Sequence, residues 1–468
     1  MKLAERCLLM LAIQCSIAGF GGFIFAQNPP QKLHIQEIIL KGNHKTKDYI
    51  LRRELTFTTG DSLTKEDIAG KLEESTENLK RLPLFNFVSL RTHETAAQNI
   101  TIIVEVTERW YTWLWPIFEI SDRNFNAWFE NGDYSRVSYG LFLQQENFRG
   151  RLEKLHFRIK LGYQQQVSLL YETPYLNKTK TLGTGIELAA ARERETGYIT
   201  ENDKLMFYRS DEFLRKTQQV SVFIRYRPQI HISHTLTLGI NNYQFSDTLL
   251  NLNPAYTGIN KNQTLVPVVG YMMKADYRDN RAYPLRGWYV DALVDGFGIF
   301  PDADYNFLTL RSSARVHLPL STRWNLALGT ALKLSTGGLK PWFLSQSLGY
   351  NRDYVRGYEY NVVDGDHFWT IKSNIRYTVV PERIITINRI RAKQFNTIPY
   401  AFYVGLFADA GQVWPETHSA GNLLPGKVLK GVGLGVDFVT YYDKVLRTEI
   451  SLNGEGKAGF FLHFMAAI

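Results

Sequence analysis

Cysteine is nearly missing from this chain of 468 residues, and the two present, Cys7 and Cys15, sit inside its first 26 positions. Everything after them can hold neither a disulfide framework nor a thiolate metal site. Apolar runs long enough to cross a bilayer as helices are also missing beyond residue 26, which excludes helical membrane spans there. No zinc-protease, nucleophile-elbow or phosphate-loop string occurs, and the 10 histidines are scattered, so no catalytic residue, metal or cofactor is expected. Charged residues make up only 21%; the net charge of +9 comes without a compact basic patch or recognition motif, which removes nucleic acid from the partners.

Aromatic residues, by contrast, are plentiful, at 13% with 26 Tyr, 28 Phe and 9 Trp. The chain opens with Lys2 and Arg6, continues through an apolar stretch from Leu8 to Phe25, and reaches Ala26 ahead of Gln27-Asn28-Pro29-Pro30. That layout predicts a cleaved secretory signal peptide over 1–26. An uncleaved anchor is the competing reading, but Gln14 and Ser16 weaken the run and two prolines follow it. Ala12-Ile13-Gln14 does not look like a lipobox before Cys15.

Residues 27–109 read as a small α/β domain. Ile35 to Leu40 form a strand ending at Gly42-Asn43, Thr46 is a plausible cap for a first helix, and Thr64 with Asp67 opens a second through Ile68, Leu72 and Leu79. Two alternating strands follow, one with Phe85, Phe87, Ser89 and Arg91 against Asn86, Val88 and Leu90, the other from Ile100 to Thr107. The predicted order is β-α-α-β-β.

From residue 110 to 468 the helical period disappears and segments of about ten residues alternate apolar and polar. In Phe368 to Val379, Trp369, Ile371, Ile375, Tyr377 and Val379 point one way, and Thr370, Lys372, Asn374, Arg376 and Thr378 the other. A soluble sandwich also alternates. Long segments, apolar faces ringed by Trp and Tyr, and no covering helical layer favour an all-β, 16-stranded antiparallel transmembrane barrel. Sixteen strand centres are expected, at Leu114, Leu141, His156, Leu169, Gly185, Phe223, Leu238, Tyr271, Val290, Ser312, Leu328, Ser373, Tyr403, Gly435, Glu449 and Leu462. The segment 337–366 is too long for a turn and too aromatic for disorder, so it is expected to fold back into the lumen.

These motifs together resemble the BamA/TamA superfamily of outer-membrane protein-assembly and translocation barrels, over nearly the whole chain beyond the signal peptide. Ile35 to Asn43, Arg53-Glu54-Leu55, Gly60-Asp61 and Val104 to Glu108 are similar to a polypeptide-transport-associated (POTRA) domain. Gln144 to Gly150 and Tyr171 to Tyr175 resemble early barrel strands, while Asp276, Arg278 and Asp279 with Pro284 and Gly287 match a mid-barrel strand-end motif. Asp276 and Asp279 read equally well as structural turn residues. The most specific pair is Val355-Arg356-Gly357-Tyr358 in the long loop with Phe407, Asp409 and Gly411 on a later strand. The resemblance implies that Arg356 pairs with Asp409 inside the barrel.

It also implies a function. A POTRA strand edge, here Phe85, Phe87, Val88 and Leu90, would receive unfolded or partly folded client polypeptides by β-augmentation, and a weak seam between first and last barrel strands would open. Pro116 in the first strand and Gly454, Gly456 and Gly459 near the last fit such a seam. The implied location is the outer membrane of a Gram-negative bacterium, in contact with its lipid, with the POTRA domain in the periplasm and periplasmic chaperones or accessory lipoproteins as further candidate partners. A single POTRA domain points to an accessory or specialised member. Two-partner secretion exporters usually carry two POTRA domains and a plug helix, neither visible here, and Phe464 to Ile468 departs from the usual terminal aromatic. The alternatives are a passive pore or structural barrel with a plugged lumen, and a small-molecule or lipid transporter.

Overall fold

In the computed structural model the described residues are 32–96, 98–120, 137–298, 300, 302–350, 353–414 and 422–464. The expected signal peptide over 1–26, the first five positions of the expected N-terminal domain and the last four residues of the chain lie outside them.

The N-terminal domain runs β1 (Lys32–Lys41), α1 (Asp48–Glu54), β2 (Ser62–Thr64), α2 (Lys65–Lys80), β3 (Phe85–Ala96) and β4 (Asn99–Glu108). The short β2 is an addition to the expected order. The sheet is ordered β2-β1-β4-β3, with β1 parallel to β4. Both helices bury an apolar stripe against it, and Ile35, Ile50, Leu51, Leu79, Leu84, Ile102 and Val104 are fully buried. Helix α2 starts at Thr64, whose hydroxyl accepts from the backbone N of Asp67 at 3.1 Å. Thr46 does not cap α1. The cap position is Lys47, without a side-chain bond, and the Thr46 hydroxyl instead accepts from Asn147 Nδ2 at 2.9 Å and lies 3.1 Å from Tyr111 Oη. A buried hydroxyl goes where it finds partners, and here these belong to the joint with the next domain.

Strand β3 contains a bulge at Asn86, because Phe85 pairs with Glu108 while Phe87 already pairs with Thr107. One extra residue inverts the faces beyond it. Phe85 is therefore in the core, Val88 and Leu90 pack on that core, and Phe87 falls on the other face, whereas simple alternation had placed Phe85 and Phe87 together.

The rest of the chain supplies β5 (Thr112–Ile120), β6 (Val137–Phe148), β7 (Glu153–Gly162), β8 (Gln165–Thr173), β9 (Leu182–Glu193), β10 (Glu195–Glu201), β11 (Lys204–Arg209), β12 (Arg215–Tyr226), β13 (Ile232–Phe245), β14 (Gln263–Asp276), β15 (Gly287–Phe297), β16 (Phe307–Pro319), β17 (Trp324–Gly337), β18 (Gln346–Leu348), β19 (Val363–Asp364), β20 (His367–Thr386), β21 (Thr397–Trp414), β22 (Val428–Thr440), β23 (Lys444–Asn453) and β24 (Ala458–His463). Sixteen of these form one antiparallel sheet running from β24 to β5, with β10–β11 and β18–β19 as separate small hairpins. Each of the sixteen expected centres falls inside one strand of the large sheet. The sheet is inside-out by the standards of a soluble fold. Along β20, Ile371, Ile375 and Val379 are exposed while Thr370, Asn374 and Arg376 are buried, and Leu114, Phe118, Leu141, Ile224 and Leu406 are likewise exposed. Apolar side chains out and polar ones in is the pattern of a barrel whose outer face meets lipid.

Among the described residues no ladder joins β5 to β24. The start of β5 is held by side chains against the turn between β22 and β23, at the rim nearest the N-terminal domain. There the backbone N of Trp110 donates to Tyr442 Oη at 2.9 Å, the Trp113 and Tyr442 rings lie 5.4 Å apart, and Arg109 bonds Asp443 at 2.5 Å. Pro116 sits on β5, an edge strand, where its missing donor costs least. Gly454 and Gly456 lie in the turn before β24, and only Gly459 is within it.

Candidate functional site

The segment between β17 and β20 folds into the barrel and is held there by one arginine. Arg356 is fully buried, and so is the side chain of its partner Asp409 on β21. Its Nε donates to Asp409 Oδ2 at 2.7 Å and Nη2 to Oδ1 at 2.5 Å, a two-point fork. Nη1 donates to Asn374 Oδ1 at 2.8 Å, Nη2 also reaches the Ser373 carbonyl at 3.2 Å, and the guanidinium carbon lies 3.9 Å from the centre of the Phe407 ring. The charge is thus paired, hydrogen-bonded and stacked, which is what a buried guanidinium needs if burial is not to destabilise the fold.

Neighbouring residues make the approach possible. Gly357 takes φ of +93°, a region that favours glycine, and its carbonyl accepts from Asn453 Nδ2 at 3.0 Å. Gly431 on β22 leaves the wall bare where the loop lies against it, since a Cβ there would come within 1.8 Å of the Arg356 carbonyl oxygen. Gly411 likewise leaves room for Val355. Val355 and Tyr358 then close a buried cluster with Leu348, Val363, Phe368 and Val413. Phe407, Asp409 and Gly411 all share the lumenal face of β21, as alternation requires.

Glu359, on the same loop and outside the spanning strands, is held in an unfavourable setting. Burial, with Glu449 nearby, pushes its carboxyl up to about 7. The folded protein then binds a proton at Glu359 that the unfolded chain releases near the ordinary value of about 4.3. Stability therefore falls as pH rises from that value towards 7, and is lowest above it. In EDTA-containing buffer, Glu359→Gln is expected to raise the thermal midpoint by a few degrees at pH 8 and leave it unchanged at pH 4; equal shifts at both pH values would rule out this carboxyl as the cause.

The strand-end motif lies elsewhere, at the rim facing the N-terminal domain, and the fold does not bring it to Arg356. Asp276 and Arg278 form a buried bidentate pair at 2.8 and 2.9 Å. Asp279 accepts from the backbone N of Asn280 and Leu285 at 2.8 and 3.1 Å and so ties the turn. The Pro284 carbonyl accepts from Arg376 at 3.2 Å, and Gly287 has φ of +97° with the Tyr277 carbonyl only 2.2 Å from where a Cβ would stand. The turn also reaches inward, for Tyr283 donates to Asp437 Oδ2 on β22 at 2.6 Å, so it spans one mouth of the barrel.

Sequence reasoning missed the docking of the N-terminal domain onto that rim. Arg81, the C-cap of α2, bonds the Arg278 carbonyl at 2.5 Å and approaches His231 Nδ1 at 3.0 Å. Glu54 of α1, almost fully buried, accepts from Arg227 at 2.6 and 2.8 Å. Asn86 of β3 donates to Tyr441 Oη and the Gln394 carbonyl at 3.2 Å each. A buried Glu54 in a helix without a local partner was the available signal, and only its identity as a charged residue on an apolar stripe could have raised it.

A 16-stranded barrel with a clamped lumenal loop and a small α/β domain on one rim defines a class of barrels associated with POTRA domains. The Omp85 superfamily domain profile matches residues 147–440, and the POTRA profile described as a surface antigen variable number repeat matches 33–109. The chain belongs to the Omp85 superfamily, whose barrels are assembly and transport proteins, not enzymes. Among solved structures, BamA from Haemophilus ducreyi lacking POTRA domains 1–3 aligns with a TM-score of 0.50 at 16% identity, covering 92% of this chain and 83% of that one. CdiB from Escherichia coli aligns with a TM-score of 0.53 at 11% identity, covering 93% and 75%. At these identities the likeness is one of fold.

Proposed function

We propose that this protein inserts or translocates other polypeptides at the outer membrane of a Gram-negative bacterium, with its POTRA domain at 27–109 in the periplasm and its barrel at 110–468 in the membrane. The observation that carries this reading is that, among the described residues, the sheet ends β5 and β24 share no ladder while every other neighbouring pair of the sixteen strands does. Backbone groups facing hydrocarbon without partners cost several kcal/mol each, so free strand edges there are suited to accept another strand. A second free edge supports it. Among the described residues strand β3 pairs with β4 alone, and its start, at Asn86, touches the β22–β23 turn at Tyr441, beside the residues that hold the start of β5 against that turn. An extended client added along Phe85, Phe87, Val88 and Leu90 would be delivered next to the seam. The filled lumen favours passage along the seam over passage through the pore. Arg356 and Asp409 hold the loop against β21 to β23, and the Asp276 to Gly287 turn braces the opposite mouth. Chaperones or accessory lipoproteins would meet the POTRA faces left free by docking.

The test is the outer-membrane and secreted proteome of a deletion strain, combined with photocrosslinking from Phe87. Selective loss of one client or a small group, and a crosslinked adduct containing it, is the expected result. An unchanged proteome without adducts overturns the reading in favour of a pore or structural barrel.

A further inference from the structure

Three side chains far apart in the sequence meet where the lumenal loop touches the last two strands. Glu359 follows the Arg356-Gly357-Tyr358 turn, Glu449 lies on β23 and His463 on β24, and one ligand-type atom from each lies within 4.8 Å of the others. The Glu449 side chain is fully buried, yet among the described residues its Oε2 has no hydrogen-bond partner, and neither has Glu359 Oε1. The remaining oxygens orient the two carboxylates. Glu359 Oε2 accepts from the backbone N of Gly357 at 2.7 Å, and Glu449 Oε1 lies 3.3 Å from His463 Nε2. The imidazole is held by the Tyr354 ring, stacked at 5.9 Å with 18° between planes.

Two carboxylates placed together in a shielded site repel one another, and their unused lone pairs are costly where water is scarce. The guanidiniums nearby face other carboxylates, Arg356 bonded to Asp409 and Arg447 to Asp437 in two-point pairs, and Arg447 Nη1, without a partner among the described residues, makes no hydrogen bond to either glutamate. A divalent cation would relieve the repulsion and use the free lone pairs at once. We propose that Glu359, Glu449 and His463 form a metal site for a divalent transition ion, with Zn²⁺ the best fit, which staples the lumenal loop to the end of the sheet. Two carboxylate oxygens and one imidazole nitrogen leave a fourth position for water, a set that suits Zn²⁺ and argues against Mg²⁺ and Ca²⁺, which take oxygen ligands. With metal–ligand bonds of about 2.0–2.2 Å, ligand atoms in a tetrahedron stand roughly 3.3 Å apart, so atoms within 4.8 Å of one another need close by no more than about 1.5 Å. Glu359 can supply that movement because it rides on a loop. His463 is partly exposed, which gives the ion a way in. Bound metal would couple the Arg356 clamp to β24, the strand at one side of the seam, and this inference does not depend on what the seam passes.

The test uses the full mature chain without a polyhistidine tag, folded in detergent, stripped with EDTA, exchanged into chelator-free buffer and titrated calorimetrically with ZnCl₂. One equivalent should bind with micromolar affinity or tighter, and zinc should raise the thermal midpoint. Glu449→Gln and His463→Ala should each weaken binding by at least tenfold and abolish the thermal shift, with folding checked by heat-modifiable gel mobility. Glu359→Gln, which leaves the barrel wall untouched, should do the same and stands in if a strand variant fails to fold. Absence of stoichiometric binding, or equal affinity in the folded variants, overturns the site.

Discussion

Arg356→Ala is expected to destabilise the folded barrel by about 3–5 kcal/mol, the usual consequence of removing one partner from a buried ion pair. The size follows from what is left behind. Asp409 stays on a buried wall position and loses both guanidinium bonds, Asn374 and the Ser373 carbonyl lose a donor, and the face of Phe407 loses its cation. Heat-modifiable mobility in detergent measures the effect. Arg356→Lys should recover little of it, because an ammonium cannot span the carboxylate, Asn374 and the Ser373 carbonyl from one plane. Removing both charges, in Arg356→Ala with Asp409→Ala, should cost less than the sum of the single changes, by about 1–3 kcal/mol of coupling. Additive effects would mean that the pair does not hold the loop. In cells, Arg356→Ala at normal protein level should fail to restore the client lost on deletion.

Gly431→Val should displace the same loop without touching a charge. Any Cβ at this position would stand 1.8 Å from the Arg356 carbonyl oxygen, and the atom it meets is backbone, which cannot rotate away. The loop must back off, stretching the Arg356 to Asp409 fork and opening the cluster around Val355 and Tyr358. Overpacking of this kind costs about 1–3 kcal/mol. Hydrogen exchange at residues 355–358 should accelerate at least tenfold while β13 and β14, on the far side of the sheet, stay protected. Unchanged exchange would show that the wall yields in place of the loop.

The centres of all sixteen strands could be placed because each spanning strand must turn apolar groups to one side and polar groups to the other, and that alternation is a property of neighbouring residues. The string Val355 to Tyr358 and the later Phe407, Asp409 and Gly411 could be matched to one another by resemblance, and the structure sets Arg356 on Asp409. Where local signals had competitors, the reading slipped. Thr46 has the composition of a helix cap, but the hydroxyl bonds across a domain joint. The bulge at Asn86 swaps the faces of β3, and nothing in Phe85-Asn86-Phe87 announces it.

Alternation, turn residues and the helical period are local, so the chain alone decides that there is a small α/β domain, a barrel and a long inner loop, and which side of a regularly alternating barrel strand such as β20 faces inward. Contacts between elements distant in sequence are decided only when the sheet curves and the loop enters it. The Arg81, Glu54 and Asn86 contacts that seat the domain on the rim, the Tyr283 to Asp437 brace across one mouth, and the meeting of Glu359 with Glu449 and His463 all arise this way. Their reason is closure: strand register and tilt bring side chains from opposite walls within bonding distance, and no periodicity along the chain encodes that distance.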